Sequence, residues 1–320
     1  MIGAGEIGGP TLSQACATSA RLLAHAALEV ASGQKHCVLA IACDRTSNGP
    51  HIYYPDPQGP GGRGTAEDWV WDNFNHDPYA GNPMLQTAEN VAREAHITRE
   101  EQEALSLLRH EQYQEALADG RAFQRRYMVA VELPKKGAAP IEADEGIRAT
   151  TREGLAKQRP VKDGGIVTSG TQTYPADGNA GIIVCTKDRA KEIAGSDAPP
   201  VRLLSYGEAR VGKGMMPAAV VPAANDALAR AGVRLEDVRA IKTHNPFAVN
   251  DLFFCRQTGI KPEAMNRFGS PLVYGHPQGP TGARLVIELI EELVLRGGGT
   301  GLYTGCAAGD TAMAVVVQVG

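Results

Sequence analysis

Four side chains in this 320-residue sequence could share one piece of chemistry. Cys16 lies in "LSQACATSARLLAHAALEVASG", at the head of a stretch rich in Ala and Leu, and His276 lies in "VYGHPQGPTGARLVIELIEELVLRGGG". Cys306 ends an apolar run in "TGLYTGCAAGD", and His244 ends another in "VRAIKTHNPF". A thiolate is a soft nucleophile and a good leaving group, as a covalent thioester intermediate requires. A cysteine at a helix N-terminus has that thiolate stabilised by free amide N–H groups and the helix dipole. A second cysteine flanked by Gly305 and Ala307-Ala308-Gly309 permits close approach of a ligand to backbone. Taken singly, each residue could equally be core, since cysteine is among the most buried residue types.

The elements that would position them follow from periodicity. The Cys16 segment reads as a helix of about twenty residues stopped by Gly33. "KHCVLAIACD" reads as a strand covered on both faces. "TAENVAREAHITREEQEALSLLRHEQYQEALADG" is helical, with Thr98 and Glu101 forming a capping box, and the strongly charged stretch 93–126 reads as a solvated surface. "GGIVTSGTQTYPADGNAGIIVCT" is expected to run strand, loop, strand, and "AAVVPAANDALARAGV" to be a helix. Pro277 fits the first turn of a helix that begins beside His276. The stretch 51–80, rich in Pro, Gly and aromatics, is an ordered surface excursion that carries both tryptophans, Trp69 and Trp71.

An internal echo organises these elements. Small-residue helix start, long helix, Gly stop and apolar strand occur once after Cys16 and again after His276. A duplicated α/β half would bring both helix starts to the interface between halves. From Val201, 75 residues precede His276, whereas 15 precede Cys16. The echo thus leads us to expect a first half short of roughly 60 residues, about two βαβ-sized pieces.

Bulk properties exclude several classes. Apolar residues make up 43% of the chain, enough for a sizeable core. A formal net charge of −4 gives no electrostatic case for nucleic acid or an anionic membrane. No apolar run approaches the ~20 residues of a membrane span. Six cysteines without CxxC pairs argue against a zinc ribbon or a disulfide framework and fit reduced thiols in a cytoplasmic enzyme. "MIGAGEIGG" follows no strand, so it is not a dinucleotide fingerprint.

Six segments, in order, carry a resemblance to the thiolase family: "QACATSARLLAHAALEVASG", "MLQTAENVAREAHITREEQEALSLLRHEQ", "DEGIRATTREGLAKQRPVKDGGIVTSGT", "HNPF", "YGHPQGPTGAR" and "GCAAGD". The resemblance implies a five-layer α-β-α-β-α fold of two pseudo-repeated halves. Residues 1–50 and 155–195 would form an incomplete N-terminal half, 51–154 an inserted loop domain, and 196–320 the C-terminal half. It implies an acyl-CoA acyltransferase of lipid metabolism that makes or cleaves a β-ketoacyl-CoA. Cys16 would carry the acyl group, and His276 would activate the thiolate and bind the thioester oxygen. Cys306 would move the α-carbon proton, and His244 would hold a water in a first oxyanion hole. Backbone N–H groups of Cys16 and Ala308 would form a second. Met84, Arg148, Thr173 and Phe247 match positions lining the CoA channel. CoA enters as substrate, with no metal or other cofactor.

The implied partners are acyl-CoA, free CoA and a second copy of the chain, as a homodimer or homotetramer; a zinc-ribbon protein is a further partner the resemblance allows. The sequence also departs from the family pattern. His244 stands for the usual Asn, as in the branch resembling sterol-carrier-protein-type thiolases. Asn245-Pro246 replaces an acidic-small pair, and "CAAG" a more Gly-rich run. Two alternatives stay open: a thiolase-like CoA- or lipid-binding protein without catalysis, and a ketoacyl-synthase-type condensing enzyme. The second cysteine counts against the latter.

Overall fold

The computed structural model describes residues 5–195 and 198–320. The chain begins with α1 (Thr18–Ala31) and β1 (Cys37–Arg45). A long excursion follows: the hairpin β2 (His51–Tyr54) and β3 (Thr65–Asp68), then α2 (Trp71–Asn75), α3 (Met84–Glu94), α4 (Arg99–Arg121) and α5 (Arg152–Ala156). The chain returns through β4 (Asp177–Cys185) and α6 (Lys187–Ile193). The remainder is β5 (Val201–Arg210), α7 (Val220–Ala231), β6 (Val238–His244), α8 (Ala248–Thr258), α9 (Pro271–Tyr274), α10 (Gln278–Leu295), β7 (Gly299–Ala307) and β8 (Thr311–Val319).

β5, β8, β7 and β6 form one sheet in that order, with β6 parallel to β7 and the other pairs antiparallel. β1 pairs antiparallel with β4, Cys37 opposite Cys185 and Arg45 opposite Asp177. Two apolar cores flank the four-stranded sheet. One joins α3, α7 and α8 to it. The other places α1 and α10 between it and the β1–β4 pair, through Ala20, Leu23, Leu285, Leu289 and Tyr303. The echo seen in the sequence is therefore structural: α1, β1, β4 and α10, β7, β8 are each a helix, a strand and an antiparallel return. In the second the return is the three-residue turn 308–310; in the first it is the whole excursion from 46 to 176.

The structure corrects several local expectations. α1 starts at Thr18 and has 14 residues, so Cys16 precedes the helix. β1 is covered on one face only: Ala40 and Ala42 point inward, while Leu39 and Ile41 are 50% and 56% exposed. "GGIVTSG" forms no strand and contributes one isolated bridge, Pro160 to Thr168. Pro277 is the N-cap of α10 rather than its first residue. α4 has the predicted capping box, with Thr98 Oγ1 accepting from Glu101 N. It is not a purely solvated helix, however. Arg109 is fully buried, with Nη2 2.8 Å from Asp251 Oδ2, because the inner face of α4 packs on α8.

Candidate active site

Cys16 sits at the apex of a tight turn. Ala15 has φ of +45°, a left-handed conformation that costs a residue with a Cβ. The turn is held by Ala17 N donating to Gln14 O (2.9 Å), and by Thr18, whose hydroxyl donates to Ala15 O and accepts from Gln14 N. α1 then runs away from the sulfur. Ser19 Oγ donates to Gly279 O and ties this turn to the start of α10.

His276 arrives from the opposite half. Its N–H donates to Tyr174 O (2.8 Å), which fixes the backbone beside Pro175. Gly275 has φ of +88°, and a Cβ there would lie 2.8 Å from the Tyr174 ring and 2.9 Å from Ala176 Cβ. Only glycine allows that approach. His276 Nε2 lies 3.0 Å from Cys16 Sγ, and Nδ1 lies 2.7 Å from Thr281 Oγ1.

Burial pushes the Cys16 thiol up to about 12, opposed by backbone N–H groups of Cys16 and Ala308 that donate toward the sulfur, with Asp44 adding to the rise. Desolvation holds His276 down at about 3. The resting pair is therefore a neutral thiol and a neutral imidazole. The S–H donates to Nε2, which leaves the Nδ1 proton to Thr281.

Cys306 is the last residue but one of β7, 1% exposed. Asn250, in the first turn of α8, donates from Nδ2 to its sulfur at 3.1 Å, while Asn250 Oδ1 accepts from Phe247 N. Burial and the neighbouring Cys16 raise the Cys306 pKa, and the Asn250 bond opposes the rise. His244 ends β6 with both ring nitrogens buried and unpartnered. Its ring centroid lies 4.1 Å from that of His276. Burial and then His276 hold its pKa well below the usual imidazole range.

The cleft over Cys16 has a volume of about 1130 Å³. Cys16, His276, Ala308, Met84, Thr173 and Phe247 all line it. Cys306 and His244 are buried and do not line it, and Arg148 is exposed outside it. Trp69, Trp71 and Phe74 also line it. Sequence reasoning did not find Asn250 or Thr281. Asn250 looks like an ordinary helix-start residue, which it also is, and nothing in the sequence marks Thr281 as the partner of a histidine five residues earlier.

Among the described residues, Cys16, His244 and His276 have ligating atoms within 4.8 Å of one another. The 3.0 Å Cys16–His276 separation is that of a hydrogen bond. Two ligands around a tetrahedral zinc would stand roughly 3.5 Å apart given usual Zn–S and Zn–N lengths.

The family model for the thiolase N-terminal domain matches residues 4–188, and that for the thiolase C-terminal domain matches 198–319. An acetyl-CoA acetyltransferase of Syntrophomonas wolfei is 31% identical over 99% of this chain and 82% of its own length. A 3-ketoacyl-CoA thiolase of Alteromonas mediterranea is 34% identical over 74% of this chain and 58% of its own. The crystal structure of Bacillus anthracis acetyl-CoA acetyltransferase superimposes with a TM-score of 0.89 at 27% identity, covering 97% of this chain and 79% of that one. Human mitochondrial 3-ketoacyl-CoA thiolase in complex with CoA gives 0.88 at 28% identity, covering 97% and 78%.

Proposed function

The chain belongs to the thiolase family, and from that premise we propose that it transfers acyl groups between Cys16 and CoA, making or cleaving β-ketoacyl-CoA. The observation that carries this reading is the convergence on one sulfur of His276 Nε2 at 3.0 Å and the Ala308 N–H. Cys16 gives its proton to His276 Nε2 as the sulfur adds to the thioester carbonyl. The oxyanion gains the Cys16 and Ala308 N–H groups, donors typically worth ~3 kcal/mol each. Collapse expels CoA thiolate, which takes the proton from His276 and leaves an acyl group on Cys16.

Cys306, as thiolate, then removes the α-proton of a second acyl-CoA. The resulting carbanion attacks the Cys16 thioester, Cys16 leaves as thiolate, and the new carbon–carbon bond closes the β-keto product; the proton now on Cys306 passes to the Cys16 sulfur, which restores the Cys16 thiol and the Cys306 thiolate for the next cycle. Cleavage is the reverse. Asn250 stabilises the Cys306 thiolate. The unpartnered nitrogens of His244 supply a donor for the enolate oxygen, directly or through a water, and support the sterol-carrier-protein-type branch. Met84, Thr173 and Phe247 line the cleft that would take the pantetheine arm, and Arg148, exposed outside the cleft, is assigned to the polar end of CoA by the family resemblance alone.

A second copy of the chain is the partner this reading favours. The outward face of the β1–β4 pair presents Leu39, Ile41 and Ile183, each half-exposed or more, as one apolar band.

Brief exposure to acyl-CoA followed by peptide mass analysis tests the chemistry. The peptide containing Cys16 should gain the acyl mass, and Cys16→Ala should lose both adduct and turnover. Acylation of Cys306 with Cys16 unmodified would reverse the assignment. No adduct on either residue with several acyl-CoAs would favour a binding protein.

A further inference from the structure

The turn that carries the Ala308 N–H is not held by its own strands alone. Between β7 and β8, Gly309 and Asp310 both have left-handed φ, +79° and +54°. Such a turn needs outside partners to stay in one orientation. The Ala308–Gly309 peptide has one at each end. Its carbonyl accepts from Thr311 Oγ1 at 3.2 Å, and its N–H donates to Asp77 Oδ1 at 2.8 Å. Asp77 is distant in sequence, belongs to the excursion between β1 and β4, and is only 1% exposed.

The same carboxylate is tied down on its own side. Oδ2 accepts from Tyr79 N (3.1 Å) and Ala80 N (2.7 Å), while the Asp77 N–H donates to Asn82 O (3.0 Å). A charge-assisted acceptor of this kind, buried and given three backbone N–H donors, is a strong and directional anchor. Asp310 anchors the turn from its other side, accepting from Gly214 N and Met215 N at 2.8 and 2.9 Å.

We infer that Asp77 is a positioning residue for the acyl-transfer step: by gripping Gly309 N–H it holds the Ala308 N–H on the Cys16 sulfur and on the oxyanion that forms there. Asp77 touches neither substrate nor sulfur. It acts through the peptide plane, whose tilt sets ψ of Ala308 and hence the direction in which the preceding amide points. Trp69, Trp71, Phe74 and Tyr79, which line the cleft, flank the same carboxylate in sequence. The part of the chain that walls the cleft thus also sets the oxyanion donor, so displacement of the wall by a substrate tail is felt at the reacting carbonyl.

This inference rests on the acyltransfer reading above, and its test separates the two. Asp77→Ala and Asp77→Asn are compared with wild type in steady-state turnover, normalised to Cys16 titrated by iodoacetamide, and in the pH profile of that alkylation. Asp77→Ala should lower kcat per titrated site about 10- to 100-fold with KM kept within about three-fold, since a misaimed oxyanion donor is lost in the transition state. Its alkylation profile should move to higher pH, because the sulfur loses a donor. Asp77→Asn keeps one acceptor oxygen and should fall between wild type and Asp77→Ala on both readouts; it also tests the idea if the alanine variant misfolds. A rise in KM with kcat unchanged would make Asp77 merely part of the cleft wall and overturn the inference. So would a fall in kcat with an unmoved alkylation profile. If wild type turns over no acyl-CoA, the functional reading fails, and the alkylation profiles alone decide for or against Asp77.

Discussion

The imidazole of His244 sits against that of His276, ring centroids 4.1 Å apart and planes tilted by 35°, and both rings are neutral. Each belongs to a different element, the end of β6 and the approach to α10. Their burial means that neither can take a proton without reorganising the site.

That has a pH consequence with a definite sign. Both folded-state pKa values lie below the unfolded histidine value near 6.5, so the unfolded chain binds more protons as pH falls through it. Stability is full above about pH 6.5 and is lost on acidification toward the folded value of His276, about 3. Each histidine contributes up to about 1.4 kcal/mol per pH unit inside that window. Urea unfolding between pH 7 and pH 5, above the usual carboxylate range, should show the loss, to which half-buried His110 also contributes, and His244→Asn should flatten it in part. An equal slope in the variant would mean other groups govern acid stability.

Asn250 should divide the two chemical steps. Asn250→Leu removes the donor on Cys306 Sγ and leaves the Cys16–His276 pair untouched. Acylation of Cys16, followed by peptide mass, should proceed near the wild-type rate. The carbon–carbon step should slow about 10- to 100-fold, in the range typical of acid–base partners. Equal slowing of both steps would show that Asn250 serves the fold rather than Cys306.

The Arg109–Asp251 pair holds the floor beneath β6 and α8. Asp251 also accepts from Asn245, Asn266 and Thr243, all buried. Asp251→Leu strands a buried guanidinium and should cost about 3–5 kcal/mol in chemical denaturation. The double variant Arg109→Met/Asp251→Leu should recover a large part of that loss. Without recovery, the remaining network rather than the charge pair is what matters.

The β1–β4 band gives an assembly test. Ile41→Lys places a charge in the middle of the proposed self-contact without touching the inward residues Ala40 and Ala42. Multi-angle light scattering should show wild type as a dimer or larger and the variant shifted toward monomer at micromolar concentration. A strict monomer in the wild type would remove this face as a self-contact.

Cys16, His276, Cys306 and His244 stand out in the sequence because each lies near one end of a regular element, and the structure brings Cys16, His276 and His244 together. The capping box at Thr98 is legible because its partners are three residues apart. What escaped was set by tertiary approach. The helix-friendly "SQACA" predicts an earlier start for α1, yet the turn around left-handed Ala15 overrides that propensity. The charges that dominate the composition of α4 point to a solvated helix, whereas Arg109 is neutralised by Asp251, 142 residues away. Thr281 and Asp77 carry no signal in sequence, since what defines each is the atom it meets.

The two returns, three residues between β7 and β8 and 131 residues between β1 and β4, also set an order of assembly. Closing the longer loop costs about 3 kcal/mol more chain entropy, so the two matching units are kinetically unequal. The β7–β8 hairpin and α10 can nucleate from local contacts, while β1 and β4 must wait until the excursion between them has folded. Pulsed hydrogen exchange during refolding should protect β7 and β8 amides first; earlier protection of β1 would contradict this order. Cys16 then meets His276 only in the last stage, so the reactive pair would not exist in partly folded chains.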